Sequence, residues 1–164
     1  MHILDKNFKD AWRSYLVQSL LAVMALTVIL YFLDILTHAA IVAALGASTF
    51  IVFAMPRWVT ARPRNVIGGH IMGLIAGTVC YFALVYPAFA VSDKFLYILA
   101  AGLSVGLSIL LMLITDTEHP PAAGTALGIV AAGWSVWAVL FVLIFAVALS
   151  LVRFLFGPWL RELV

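Results

Sequence analysis

Cysteine and charge are both scarce in this 164-residue chain. The only cysteine is Cys80, which excludes an intramolecular disulfide and a cysteine-based metal cluster. Charged residues make up 10% of the chain, nine basic and seven acidic, against 66% hydrophobic. A soluble domain carries about 25% charged and about 45–50% apolar residues. So few charges cannot cover that much apolar side chain in water, which excludes a water-soluble enzyme, a nucleic-acid-binding protein and a disordered tail. A net charge of +2 is too small to draw in a polyanion. The lipid bilayer is the solvent that this composition fits.

Apolar sequence is what the chain has in abundance. A span needs roughly 20 residues to cross about 30 Å of hydrocarbon. Runs at 15–33, 39–55, 67–86 and 95–114 qualify, followed by a short small-residue run at 120–132 and a long bulky one at 135–156. The expected fold is all-α: a polytopic transmembrane helical bundle of about six segments, one of them short and rich in proline and glycine. Residues 1–13 read as an interfacial helix, since Leu4, Phe8 and Trp12 recur every four residues among charged neighbours. Residues 14–164 then form a single transmembrane domain.

Basic residues set the orientation. Lys6, Lys9 and Arg13 precede the first run, and Arg57, Arg62 and Arg64 lie in the connection two runs later. Arg153 and Arg161 join the same side only if 120–132 also crosses, which favours six crossings over a re-entrant loop at 120–132. The expected placement is the plasma (inner) membrane with a cytoplasmic amino terminus.

The acid and histidine of Asp34–His38 precede a small-residue helix containing Ala44-Leu45-Gly46. The same order recurs as Thr115–His119 ahead of Ala126-Leu127-Gly128. Three runs in each half would make an inverted repeat, as in many transporters. Gly69, Gly73 and Gly77, then Gly102 and Gly106, then Gly124 and Gly128 each stand four residues apart. That spacing lets helix backbones approach closely. It predicts the middle three spans as the packed centre, the bulky first and last as lipid-facing, and a homo-oligomer.

Two segments carry polar chemistry. In Thr115–Thr125, consecutive Pro120 and Pro121 suit the first turn of a helix, where amide hydrogens are unpaired anyway. Free amides from Ala122 onward would form an anion site there, with Gly124 and Thr125 one turn in. Asp116 and Glu118 serve either to cap that helix, worth about 0.3–1 kcal/mol, or to pair with arginine. His119 can carry or release a proton near neutrality. In Ala61–His70, Arg62 and Arg64 flank Pro63, Asn65 suits a helix cap, and His70 lies inside the apolar run. An ionisable residue there is a functional candidate by default. Arg153 is expected to snorkel, and Trp58, Trp134, Trp137 and Trp159 to anchor at the interface.

His119-Pro120-Pro121 followed by Ala-Ala-Gly-Thr-Ala-Leu resembles the signature of the HPP family of small integral membrane proteins. Pro63–His70 is similar to that family's second block, and Gly46-Ala47-Ser48 to a third. The resemblance covers nearly the whole chain in the expected order. It implies a four-spanning transporter, and some cyanobacterial and plastid members are associated with nitrite transport. Carried over by position, His119, Pro120, Pro121, Arg64, Asn65, Gly69 and His70 form the functional core.

The resulting expectation is a transporter or channel for a small inorganic anion, nitrite first, with His119 or His70 supplying a proton. No cofactor or bound metal is expected. An enzyme is disfavoured because no HExxH-like pair and no nucleophile constellation occurs. A structural or regulatory membrane subunit is the alternative.

Overall fold

A backbone buried in lipid satisfies its own polar groups most simply as helix. The computed structural model describes residues 8–31, 39–88 and 94–164, and among these every regular element is helical. The helices are α1 (Phe8–Tyr31), α2 (Ala39–Ala54), α3 (Pro63–Cys80), α4 (Tyr86–Ala88), α5 (Lys94–Thr115), α6 (Pro121–Ala132) and α7 (Val136–Phe156), with a 3₁₀ turn at Val59–Ala61. A π-helical segment, Tyr81–Val85, joins α3 to α4. Asp34 and His38, half of the expected repeat, lie outside the described residues. Phe8–Arg13 belongs to α1 without a break before Tyr31.

Among the described residues, three helical stretches are long and apolar enough to cross a membrane: Pro63–Val85, Lys94–Thr115 and Val136–Phe156. Beside them stand two shorter apolar helices, α2 and α6. At 1.5 Å per residue, the 16 residues of α2 and the 12 of α6 measure about 24 Å and about 18 Å.

Proline and backbone geometry fix the helix ends. Pro63 occupies the first turn of α3, and Arg62 is its cap residue, with no side-chain cap bond. Asn65 is therefore not the cap that its sequence position suggested. Proline's missing amide removes one of the donors that a cap would satisfy. At the end of α5, Asp116 turns left-handed at φ 53°, and the Thr117 amide donates to the Met112 carbonyl at 3.0 Å. This is the six-to-one bond of a Schellman termination. Gly133, at φ 85°, ends α6.

α6 lies at the centre, packed against α2, α3 and α5. Glycines make that approach close. A Cβ at Gly77 would come within 2.8 Å of the Ala126 carbonyl oxygen, and one at Gly73 would overlap the Ala122 carbonyl oxygen. On the opposite side, a Cβ at Gly124 would stand 3.1 Å from Ala44 Cβ, and one at Gly128 3.1 Å from the Ile41 amide nitrogen. Two of the three glycine rows thus serve packing within the chain. Gly102 and Gly106 on α5 do not, because nothing lies within 4 Å of a Cβ at either.

The expected division into a small-residue centre and bulky lipid-facing outer spans also needs correction. Phe141, Phe145 and Leu149 of α7 are buried in the main core with Ile41, Leu45 and Ile129. α5 instead exposes Leu103, Leu110 and Leu113.

The carboxyl-terminal segment folds back onto the α2–α3 connection. Leu163 donates its amide to the Ala54 carbonyl at 2.9 Å, and the Arg57 amide donates to Glu162 Oε2 at 3.0 Å. Arg153 does not merely snorkel: its guanidinium donates to the Pro56 carbonyl at 2.7 Å. Buried Gln18 ties α1 to this end, donating to the Phe53 and Arg161 carbonyls and accepting from the Arg161 amide. At the far end, Tyr97 Oη donates to the Ala131 carbonyl at 2.7 Å, and Trp134 Nε1 to Thr78 Oγ1 at 3.2 Å.

Candidate functional site

The two histidines that sequence singled out come together. α3 carries His70 two turns inside its proline start, and the turn between α5 and α6 carries His119. Both are fully buried, with ring centroids 5.1 Å apart and planes at 60°. Ser48 of α2 stands between them. Its Oγ is 3.0 Å from His70 Nε2 and 2.9 Å from His119 Nε2, and also 3.0 Å from the Ala44 carbonyl oxygen.

Each ring has a second partner. His70 Nδ1 lies 2.9 Å from Thr125 Oγ1 on α6. His119 Nδ1 lies 2.8 Å from the Thr60 carbonyl oxygen. A carbonyl only accepts, so His119 carries a proton on Nδ1. Four elements thereby meet on one pair of rings: α2, the 3₁₀ turn, α3 and α6.

Close packing holds His119 in place. A Cβ at Gly69 would lie 2.6 Å from His119 Cβ and 3.1 Å from the Thr117 carbonyl oxygen. Gly69 is a glycine so that the histidine turn can rest on α3. Asn65, also buried, donates from Nδ2 to the Glu118 carbonyl at 3.2 Å and fixes the same turn from the other side.

The expected anion site at the start of α6 is closed. Pro120 and Pro121 have no amide hydrogen, the Ala122 amide donates to the His119 carbonyl at 2.9 Å, and the Ala123 amide to the Pro120 carbonyl at 3.2 Å. No free amide is left in that first turn. Arg64 pairs with Asp116, its guanidinium 3.1 Å from Oδ2, so this acid takes the arginine pairing that the sequence offered beside capping. It also donates to the Thr115 carbonyl at 3.1 Å. Both side chains are largely exposed, at 65% and 73%, so Arg64 and His119 occupy different environments. Arg62 is exposed and Glu118 half-buried on the same turns.

His70, His119 and Thr125 stand out in the sequence as site residues, whereas Ser48 does not. The signal available for Ser48 was its place in the Gly46-Ala47-Ser48 block. Nothing in the sequence points to the Thr60 carbonyl. Among the described residues, no group of three or more histidine, cysteine, aspartate or glutamate side chains forms a metal site.

Two transmembrane proteins of Dictyostelium discoideum are similar to the chain. One is 38% identical over 87 residues, which is 53% of this chain and 28% of the relative. The other is 33% identical over 87 residues, 53% of this chain and 26% of the relative. The chain thus matches little more than a quarter of the length of either. No solved structure matches it. A family model described as the HPP transmembrane region matches residues 7–161, nearly the whole chain, including the glycine row of α3, the Ser48 hydroxyl and the His-Pro-Pro turn. The chain belongs to the HPP transmembrane family.

Proposed function

We propose that this protein is an integral membrane transporter or channel for a small inorganic anion, with nitrite as the first candidate. The observation that carries the reading is the pair of fully buried imidazoles meeting at one hydroxyl inside a helical membrane protein. Ionisable side chains in such a place are costly and mark ion or proton paths. A bare anion finds neither free amides at Pro120 nor an unpaired Arg64. Nitrite is the anion of a weak acid, and passage together with a proton fits a centre built from histidine.

Six crossings with a cytoplasmic amino terminus in the plasma membrane belong to the same proposal. Its supports are the basic residues and the carboxyl-terminal fold-back onto the α2–α3 connection. The open Gly102–Gly106 face of α5 is consistent with a homo-oligomer. One observation favours the alternative of a structural or regulatory subunit: all four ring nitrogens of the pair have partners within the protein.

Nitrite uptake into proteoliposomes separates the two. Wild type, His119→Ala and Arg64→Ala are compared across pH, with chloride and nitrate as competitors and protein-free liposomes as the control for unaided nitrous acid. Protein-dependent flux lost in His119→Ala is the expected result. Wild-type flux equal to the control rejects nitrite, and flux unchanged in His119→Ala rejects the pair as the transport centre.

A further inference from the structure

We propose that His70, Ser48 and His119 form a proton relay, in which the Ser48 hydroxyl passes one proton between the two imidazoles. The relay rests on the reading of this pair as the functional centre, and it holds whatever solute is carried.

The hydrogen bonds determine one another. The Thr60 carbonyl can only accept, so neutral His119 holds its proton on Nδ1 and presents a bare Nε2. Ser48 Oγ, 2.9 Å from that nitrogen, must donate to it. A hydroxyl has one proton, so toward His70 Ser48 can only accept. His70 therefore carries its proton on Nε2 and leaves Nδ1 to accept from Thr125 Oγ1. The neutral site is a single directed chain, from Thr125 through His70, Ser48 and His119 to the Thr60 carbonyl.

Reorienting hydroxyls let the chain take an extra proton on either ring. With His119 protonated on both nitrogens, Ser48 accepts from its Nε2 and donates to the bare Nε2 of His70, whose one proton sits on Nδ1 toward Thr125 Oγ1. With His70 protonated on both nitrogens, Thr125 turns to accept and the rest of the chain is unchanged. The two charged states interconvert by one concerted step. The His70 Nε2–H bond breaks as that proton joins Ser48 Oγ, and the Ser48 O–H bond breaks as its proton joins His119 Nε2. One positive charge moves from the deeper ring to the ring on the α5–α6 turn, and no electrons are exchanged.

The surroundings leave this charge to the chain itself. α2 and α6, which hold Ser48 and Thr125, carry no titratable side chain. On the neighbouring elements the titratable or charged groups are Arg64 and Cys80 of α3, Lys94 and Tyr97 of α5 and Arg153 of α7. The flanking turns add Arg57, Arg62, Asp116 and Glu118. None of these is a hydrogen-bond partner of either ring.

The test is solid-state NMR of the full chain in liposomes with ¹⁵N-labelled histidine, assigned by His70→Gln and His119→Gln spectra. At pH 7.5 His119 is expected as the Nδ1–H tautomer and His70 as the Nε2–H tautomer. On acidification one proton should appear on both rings together, with their signals averaged by exchange. Ser48→Ala should give two separate signals with the charge confined to one ring, and Ser48→Thr should restore the averaging. His70 found as the Nδ1–H tautomer at pH 7.5, rings that titrate independently, or exchange that persists in Ser48→Ala would each overturn the relay. If Ser48→Ala does not fold, the wild-type tautomers and titration decide alone. No nitrite is present, so failure of the relay leaves transport standing, and absence of nitrite flux leaves the relay standing.

Discussion

Gly69 lies directly against His119: a Cβ on residue 69 would stand 2.6 Å from the histidine's own Cβ. The neighbour is the root of a buried side chain, which cannot swing aside as a flexible tip would. Gly69→Ala is expected to destabilise the bundle by about 1–3 kcal/mol through overpacking. Gly102→Ala, where nothing lies within 4 Å, should stay within about 0.5 kcal/mol of wild type. Thermal unfolding of both variants in one detergent checks this, and equal midpoints would refute the contact.

Thr125 holds the outer nitrogen of His70 at 2.9 Å. Thr125→Val keeps the shape and removes the hydroxyl, leaving that buried nitrogen without its partner. A loss of about 1–3 kcal/mol is expected, with Thr125→Ser retaining most of the stability. A valine variant as stable as wild type, with unchanged His70 ring signals, would show that the bond is dispensable.

The Arg64–Asp116 pair is exposed, and such pairs contribute roughly 0.2–1 kcal/mol, less in high salt. Asp116 matters more through its left-handed backbone at φ 53°. Asp116→Gly should be close to neutral, since glycine relieves the backbone while the surface pair is lost. Asp116→Val should cost about 1–3 kcal/mol. Chemical denaturation of the two variants would have to give the reverse order for this account to fail.

Gln18 joins three backbone groups on two distant segments. Gln18→Ala should free the carboxyl-terminal segment and raise hydrogen exchange at the Arg161 amide by at least tenfold, the equivalent of about 1.4 kcal/mol. Unchanged protection at that amide would mean that the Leu163–Ala54 and Arg57–Glu162 bonds suffice.

The sequence runs at 120–132 and 135–156 correspond to α6 and α7 almost residue for residue, because prolines and Gly133 punctuate them. The meeting of His70 with Thr125 and His119 was not legible, since hydrogen bonds between distant segments leave no periodicity. Ser48 looks like Ser104 or Ser108, any small hydroxyl on an apolar helix. The burial of Phe141 and Phe145 was misread for a different reason. In lipid, apolar side chains face membrane or protein at similar cost, so bulk alone does not tell which side of a helix is buried. Proline at the start of α3 likewise displaced Asn65 from capping to bracing the histidine turn.

α6 has 12 residues, about 18 Å of helix, and runs beside α3 and α5, which continue well past it. At least one of its ends therefore stops short of the surface of a roughly 30 Å apolar layer. At its His119 end buried Pro121, Ala122 and Thr117 close the helix off, and the amides of Ala122 and Ala123 are paired. The consequence is a helix too short to span such a layer unaided, whose ends have to be sealed by the longer helices packed around it.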